Sequence, residues 1–145
     1  MFNTIIKASE NFCIHQIREA YKIETAPQID EKLIITYIDI DATIGGKFRV
    51  YLASDKLFMQ KISKLFLEED ESDEETLIDM TLETANLIIG SAKVLAEEAN
   101  ENVFTIATPH FLKIDVFDFK YDELKVIQIE NEKMLIAIKE IDDKS

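Results

Sequence analysis

One face of a predicted helix near the middle of the chain carries four residues whose types suit chemistry. They are Asp79, Glu83, Asn86 and Gly90, here called the polar stripe. Each helical residue advances roughly 100°, so the four fall within an arc of about 60°. Asn is a poor helix former, and Gly costs roughly 1 kcal/mol relative to Ala inside a helix. These two residues therefore indicate a role other than helix stability.

The polar stripe could position a water molecule against a phosphoryl group. The Asn86 amide offers donors and an acceptor without charge, so it can orient water but cannot act as a general base. A Gln has this role in Ras-type GTPases. Glu83 could anchor a partner's lysine or arginine through a charge-assisted hydrogen bond, and Gly90 would let another backbone approach closely. On spacing alone, the alternative that the stripe is only the solvent side of an amphipathic helix stays open.

The helix that carries the polar stripe is predicted to run from about 74 to 99. An acidic run, 68–75, leads into it, and we interpret this run as a solvated linker rather than an acidic binding patch. Within the run, Ser72 and Glu75 have the spacing of a capping box, and acids in a first turn complement the helix dipole. Glu97 extends the stripe. The broad apolar side opposite predicts a core-facing surface made of Leu77, Thr81, Ala85, Ile88, Ala92, Leu95 and Ala99.

The first third of the chain predicts a helix followed by a β-hairpin. Residues 4–21 have apolar side chains at helical spacing, and Pro27 ends that pattern. Alternating β-branched and aromatic residues predict strands over 33–42 and 46–53. Gly45-Gly46 sits between these runs and predicts the turn of the hairpin.

A second helix follows the hairpin, and strands follow the long helix. Ser54 or Asp55 is expected to cap the second helix, whose inward-facing residues we predict to be Leu57, Phe58, Ile62, Leu65 and Phe66. Residues 130–132 predict a tight hairpin turn. The β-type runs that end the chain cover 103–108, 111–119, 124–130 and 133–141, with Pro109-His110 separating the first two. This order predicts an α+β fold, in which long helices pack on one face of a largely antiparallel sheet.

Composition excludes several classes of function. The 145 residues are 47% hydrophobic and 31% charged, which suits one folded domain over 1–145. The net charge of −13 disfavours nucleic acid and anionic membranes as partners. Cys13 is the only cysteine, so a reducing compartment is expected. The N-terminal segment is too often interrupted by charge for a signal peptide or a membrane span, so we expect a cytoplasmic protein.

Other residues that often do chemistry are weaker candidates. Cys13 and His15 point to different faces of a helix and cannot easily share a metal ion. Gly45-Gly46 lacks the Lys-Ser/Thr pair and the helix start of a phosphate-binding loop. His110 follows Pro109 and could approach the polar stripe, although a lone histidine beside a turn is usually incidental. The sequence contains no convincing metal cluster or nucleophile triad.

The polar stripe and a later proline together resemble the active-site signature of the CheC/CheX/FliY family of chemotaxis phosphatases. That signature is an acid or Ser, three residues, Glu, two residues, Asn, and a Pro a little over twenty residues later. Here it is Asp79, Glu83, Asn86 and Pro109. The surrounding "ETANLIIGSAKVLAEEANENVFTIATP", which includes Gly90, is similar to the family pattern, as is "IGGKFRVYLASDKLFMQKISKLF". The resemblance covers roughly residues 30–112.

The resemblance implies a phosphatase that acts on the phosphorylated aspartate of a CheY-like response regulator. Asn86 would enter the regulator's active site and orient the attacking water, and Glu83 would form a salt bridge with its active-site lysine. Asp79, Gly90 and Pro109 would contact the partner around Asn86 and Glu83. The regulator would supply Mg²⁺, so the chain needs no metal or other cofactor of its own. Because an acyl phosphate is intrinsically reactive, positioning a water molecule beside it is enough to accelerate its hydrolysis.

Within this family, CheC proteins usually carry two copies of the signature and CheX proteins one. The first helix, with "SENFCIHQ", does not supply a second copy, which favours similarity to CheX. Relatives of CheX dimerise by joining sheets edge to edge, so a homodimer is expected. The alternative function is a non-catalytic module of the same fold that binds a receiver domain. A purely structural domain is a third interpretation.

Overall fold

The structure is a computed structural model that describes residues 1–25 and 29–141. Its helices are α1 (Phe2–Phe12), which continues into a π-helical turn (Cys13–Ile17), α2 (Lys56–Leu67) and α3 (Glu74–Ala99). Its strands are β1 (Lys22–Thr25), β2 (Leu33–Ala42), β3 (Lys47–Ser54), β4 (Phe104–Ile106), β5 (His110–Asp115), β6 (Glu123–Ile129) and β7 (Glu132–Ile141). Pro27, predicted to end the first helical pattern, lies outside the described residues.

The strands form an antiparallel sheet in the order β1-β6-β7-β3-β2-β4, and β5 pairs with the same edge of β2 as β4 does. The predicted hairpin is confirmed as β2 and β3, with β3 beginning at Lys47 rather than at residue 46. Its turn contains Gly45 and Gly46 at φ of 113° and 99°, a region that glycine enters without steric cost. The predicted turn over 130–132 is also confirmed, since Ile129 pairs with Glu132 across it. The α+β class is thus confirmed.

The sheet is buried on both faces, but helices cover only one of them. Alternation along β2 directs Ile38 into the core that all three helices share, whereas Ile35 points to the other face. On that other face, the rings of Phe117 and Phe119 lie against Tyr51, with centroids 5.3 and 5.1 Å from the Tyr51 ring. The candidate residues of the polar stripe on α3 therefore belong to the helix-covered side of the sheet.

The strands differ from prediction in several bounds and in one additional strand. The run predicted over 103–108 is only the three-residue β4, Phe104–Ile106. The predicted run 111–119 is shorter, because β5 begins at His110 and ends at Asp115, after which the chain turns to cover the outer face of the sheet. Strand β1, Lys22–Thr25, is not predicted at all. It pairs with β6 at an edge of the sheet, and a short edge strand of mixed polarity carries no periodic signal.

The first helix ends earlier than the predicted 4–21. Arg18 adopts the left-handed conformation with φ of 61°, and its N–H donates to the carbonyl of Cys13 at 2.7 Å, which closes the π turn. Tyr21 fits the apolar spacing of the predicted helix for a reason other than helix formation. The Tyr21 hydroxyl donates to the Glu10 carboxylate at 2.9 Å, so this residue packs back onto α1 from outside it.

Helix α2 begins as predicted but buries fewer residues than expected. Asp55, not Ser54, is the cap, since its carboxylate accepts a hydrogen bond from the Phe58 N–H at 2.7 Å. Phe58 and Ile62 are buried as predicted. The prediction is wrong for three exposed residues, Leu57, Leu65 and Phe66. The helix packs on α3 and β7, and its side that faces away from them stays exposed.

Helix α3 has the predicted bounds but a different cap. The Asp73 carboxylate accepts a hydrogen bond from the Thr76 N–H at 2.8 Å, and Glu74 and Glu75 occupy the first turn. Ser72 is not the cap, because it faces α2 instead, where its N–H donates to the side-chain oxygen of Gln60 at 2.7 Å. The predicted capping box is therefore wrong by one residue.

The buried side of α3 agrees with prediction along most of its length. The five predicted core residues from Leu77 to Ala92 are buried and Leu95 is half-buried. The prediction is wrong for Ala99, which is exposed because it lies in the last turn, where residues 97–102 are all exposed. Residues 68–71 of the acidic run are exposed as well, as expected of a solvated linker.

Candidate functional site

The polar stripe lies on the outward side of α3. Asp79, Glu83 and Asn86 are exposed, and Gly90 is half-buried. The opposite side of the same helix is packed into the main core, where Ile88 is 1% exposed. A helix that is close-packed along one side cannot rotate freely, so the core holds the backbone of the stripe in one orientation relative to the sheet.

The functional groups of the stripe are not used within the chain. Across the described residues, the carboxylates of Asp79 and Glu83 and the amide of Asn86 have no hydrogen-bond or ion-pair partner. Asp39 shows the contrasting case, since Arg49 holds both of its carboxylate oxygens at 2.8 and 2.9 Å. The three groups of the stripe are therefore free to bind a partner without first breaking an internal contact.

Gly90 is not required by the packing of this chain. A Cβ atom placed on Gly90 would meet no heavy atom within 4 Å. Its backbone is helical, so no left-handed conformation demands a glycine either. Gly90 therefore lowers helix stability without relieving any contact among the described residues, and it leaves room for another surface to approach the helix at this point.

A groove of about 720 Å³ opens beside the stripe at Glu83. This surface, here called the lateral groove, lies between α3, the end of α1 with its π turn, and the end of α2. Its apolar walls include Phe12, Phe66 and Leu87, and its polar residues include His15. Glu83 belongs to both the groove and the stripe, so the two surfaces are continuous.

Sequence reasoning missed the lateral groove, although a signal for it was present. Phe66 and Leu87 are large apolar residues that stay 38% and 42% exposed, and Leu87 lies outside the predicted core-facing side of α3. The helical pattern places Phe66 inward, because periodicity shows which side of a helix is apolar but not whether a neighbouring element covers that side. The groove forms where the ends of α1 and α2 meet the middle of α3 without closing over it.

Pro109 lies between β4 and β5, and both of those strands contact α3. The N–H of Ala107 in the same connection donates to the carbonyl of Asp39 at 2.9 Å, which holds this segment against the outer edge of β2. His110 does not approach the polar stripe through its side chain. Its ring stacks on Tyr37 at a centroid distance of 5.2 Å, on the face of the sheet opposite α3.

The remaining candidates have structural surroundings. Cys13 is buried, and burial, with a smaller contribution from the Glu10 carboxylate, raises the pKa of its thiol to about 12. A thiol in this environment is not a nucleophile at neutral pH. Over the described ranges, no group of three or more His, Cys, Asp or Glu side chains is placed to hold a metal ion. Nor does any helix there combine the length and the apolarity that crossing a membrane requires.

Comparison with known families identifies the fold around this site. The family model described as chemotaxis phosphatase CheX matches residues 34–131. The chain belongs to the CheX family of chemotaxis phosphatases. The match extends from β2 to the turn before β7, so it includes the polar stripe and Pro109. The resemblance to the CheC/CheX/FliY phosphatases is confirmed.

Solved CheX structures share this fold across almost the whole chain. Chemotaxis protein CheX from Vibrio vulnificus is 17% identical with a TM-score of 0.70, over 94% of this chain and 97% of that chain. The CheX of Desulfovibrio desulfuricans is 15% identical with a TM-score of 0.70, over 96% and 97% of the two chains. A CheX-CheY-BeF3-Mg²⁺ complex from Borrelia burgdorferi is 15% identical with a TM-score of 0.67, over 95% and 97%. No curated protein matches the sequence. At these identities the solved structures establish the shared fold.

Proposed function

We propose that the protein is a protein-aspartyl phosphatase that dephosphorylates a CheY-like response regulator in chemotaxis signalling. The observation that carries the proposal is the pair Glu83 and Asn86, exposed and without internal partners on a helix whose other side is packed in the core. Membership of the CheX family supports it. A relative of the same fold that was solved as a complex with CheY, BeF3 and Mg²⁺ supports the choice of partner.

Asn86 is proposed to orient the attacking water. Its amide oxygen accepts a hydrogen bond from the water, which aims a lone pair at phosphorus without removing a proton beforehand. The water oxygen bonds to phosphorus as the bond between phosphorus and the aspartate oxygen breaks, which releases inorganic phosphate and a free carboxylate. Because the acyl phosphate is already reactive, holding water in line supplies the main catalytic effect.

Glu83 is proposed to bind the active-site lysine of the regulator. Residues three apart lie next to each other on a helix surface, so the Glu83 and Asn86 side chains can enter one cleft together. The ion pair between Glu83 and the lysine would set the depth and register of Asn86 in that cleft. Asp79, one turn before, and Gly90, one turn after, would flank the contact, and Pro109 would border it from the sheet edge.

Mg²⁺ is proposed to come with the regulator, so that this chain has no cofactor of its own. The ion would neutralise charge on the phosphoryl oxygens, which is the usual part of a divalent cation in phosphoryl transfer. Its ligands would be the regulator's, and the residues of the polar stripe would act on the water and the lysine. The cytoplasm, where such a regulator works, is the proposed location.

The protein is proposed to form a single domain over 1–145 that assembles as a homodimer. Strands β1 and β5 are edge strands of the described sheet, and each has an unpaired side. Phe111 and Leu112 of β5 are exposed large apolar residues, and such an edge is a template for a strand from another copy. Sedimentation in solution should give twice the chain mass, and a monomer would contradict this assembly.

The test of the phosphatase compares the wild type with Asn86→Ala. The wild type should accelerate Mg²⁺-dependent loss of phosphate from a phosphorylated CheY. Removal of the orienting amide should lower kcat by about 100- to 1,000-fold, as loss of one transition-state hydrogen bond does elsewhere. The matched control is Asn3→Ala, the same change at an exposed position of α1, which should keep wild-type activity.

Two results would contradict this function. Binding to CheY without acceleration by the wild type would favour the alternative, a non-catalytic receiver-binding module. Wild-type activity that survives in Asn86→Ala would remove the proposed role of the amide and leave the catalytic group to be found elsewhere on the helix.

A further inference from the structure

The lateral groove has the properties of a binding surface. Half-exposed apolar side chains line it, among them Phe66 at 38% and Leu87 at 42% exposure. They come from two different helices, so the groove is a composite surface rather than one stripe of one helix. Contiguous apolar exposure of this kind is uncommon on a soluble protein unless something binds there.

The walls of the groove are held in place by the fold. The ring of Phe12 meets that of Phe66 edge to face at a centroid distance of 6.2 Å, which ties the end of α1 to the end of α2. The π turn that follows α1 brings His15 to the groove and closes through the hydrogen bond from Arg18 to Cys13. A preformed groove binds with little loss of conformational entropy.

The charge around the groove indicates which kind of surface would bind there. Among its described lining residues, Glu83 is the only Asp or Glu, and neither Lys nor Arg is present. Just beyond α2, the acidic residues of 68–71 are exposed, and the whole chain has a net charge of −13. The complementary surface is an apolar side chain with basic residues beside it.

We propose that the lateral groove receives an exposed apolar side chain of the same receiver domain whose lysine meets Glu83. This inference rests on the proposed function and adds a second anchor to it. Glu83 belongs to both surfaces, and Leu87 follows it by one helical turn, so a receiver seated on the stripe extends over the groove. Asn86 then supplies catalysis while the groove supplies affinity and partner choice, since buried apolar anchors dominate interface energies.

The test changes Leu87 to Gln and measures binding separately from catalysis. The probe is a CheY carrying Mg²⁺ and beryllium trifluoride, an unhydrolysable substitute for the phosphoryl group. Leu87→Gln should raise Kd for this probe, and KM for phosphorylated CheY, by about tenfold, as expected for loss of one interface anchor. Phe66→Ala, on the opposite wall, should raise both in the same direction, with the loss in KM rather than in kcat.

Val94→Gln is the matched control. Val94 is 51% exposed and lies roughly two turns beyond Leu87 on the same side of α3, outside the groove. The variant makes the same kind of apolar-to-amide change on the same helix, and it should bind and act like the wild type. Circular dichroism and thermal unfolding of all three variants check that they fold.

The outcomes separate this inference from the function on which it rests. An active wild type whose Kd is unchanged in both Leu87→Gln and Phe66→Ala overturns the groove as a receiver site and leaves the phosphatase standing. A change in oligomer mass with unaltered CheY binding also overturns it, because a second copy of the chain is then the occupant. A wild type that neither binds nor dephosphorylates CheY overturns the phosphatase and the groove's proposed occupant together.

Discussion

The two sides of α3 belong to one helix, but different constraints account for the residues on each side. On the inner side, Ala85, Ile88 and Ala92 are each at most 1% exposed and belong to the main core. On the outer side, Asn86 and Gly90 lower helix propensity, and nothing in the described chain compensates for either. The inner side is explained by folding alone, whereas the proposed contact with a partner accounts for the outer side.

This difference provides a criterion for recognising candidate functional residues from the chain alone. Buried residues that break local rules usually do so to fit neighbours in the same chain. Exposed residues that break them, with open space around them, have no such internal reason. Substitutions on the inner side should therefore change stability, and substitutions on the outer side should change activity while leaving stability equal or higher.

Ile88→Ala is expected to give the largest effect on stability. Removal of most of a side chain that is 1% exposed leaves a cavity in the main core and should lower the free energy of unfolding by about 2–5 kcal/mol. Urea denaturation measures this loss. In the same experiment Asn86→Ala should stay within about 0.5 kcal/mol of the wild type, because it alters an exposed position. A comparable loss of unfolding free energy in both variants would contradict the distinction between the inner and outer sides of α3.

Glu83→Gln is expected to give the next largest effect, on binding. The change keeps the size of the side chain and removes the charge that pairs with the receiver lysine, so Kd should rise by about 10- to 100-fold. Titration calorimetry with receiver, Mg²⁺ and beryllium trifluoride measures it, and the unfolding free energy should stay unchanged. Glu97→Gln, further along the same helix, makes an identical change in net charge. Equal weakening by both variants would indicate a general charge effect instead of a specific ion pair.

Gly90→Ala is expected to give the smallest effect, and one of opposite sign. Because a Cβ at this position meets nothing within 4 Å, the alanine should stabilise the helix by about 1 kcal/mol. Calorimetry should show a melting temperature higher by a few degrees, together with weaker binding of the receiver. Gly45→Ala is the matched contrast, since φ of 113° there should make the same change destabilising. If Gly90→Ala lowered the melting temperature instead, Gly90 would have a structural role within this chain.

The elements that sequence reasoning located best are those with strong local signals. The 26-residue α3 has a sustained 3.6-residue period, and its predicted bounds agree with the structure. The strands β2 and β3 have β-branched alternation on either side of a glycine pair, so their pairing follows from local chemistry. The polar stripe follows from α3 alone, because once the helix is placed its faces are determined by geometry.

The errors fall where a residue's surroundings come from distant parts of the chain. Phe66 has the spacing of a buried residue, yet it stays 38% exposed although its ring meets that of Phe12 in α1 edge to face. Tyr21 continues a helical pattern from outside the helix, because its hydroxyl bonds back to Glu10. His110 is adjacent in sequence to Pro109 but stacks on the opposite face of the sheet. In each case the residue type is evident from sequence, and its neighbour is not.

The α+β class, the long helix and the four residues of the polar stripe follow from the sequence, since helical period, strand alternation and turn residues are encoded locally. The surroundings of these elements follow from tertiary contacts. The tertiary structure pairs β1 with β6, turns His110 away from α3, and brings the ends of α1 and α2 against the middle of α3 to form the lateral groove beside Glu83. The physical reason is that periodicity specifies which side of an element is apolar, whereas coverage of that side depends on contacts between segments far apart in the chain.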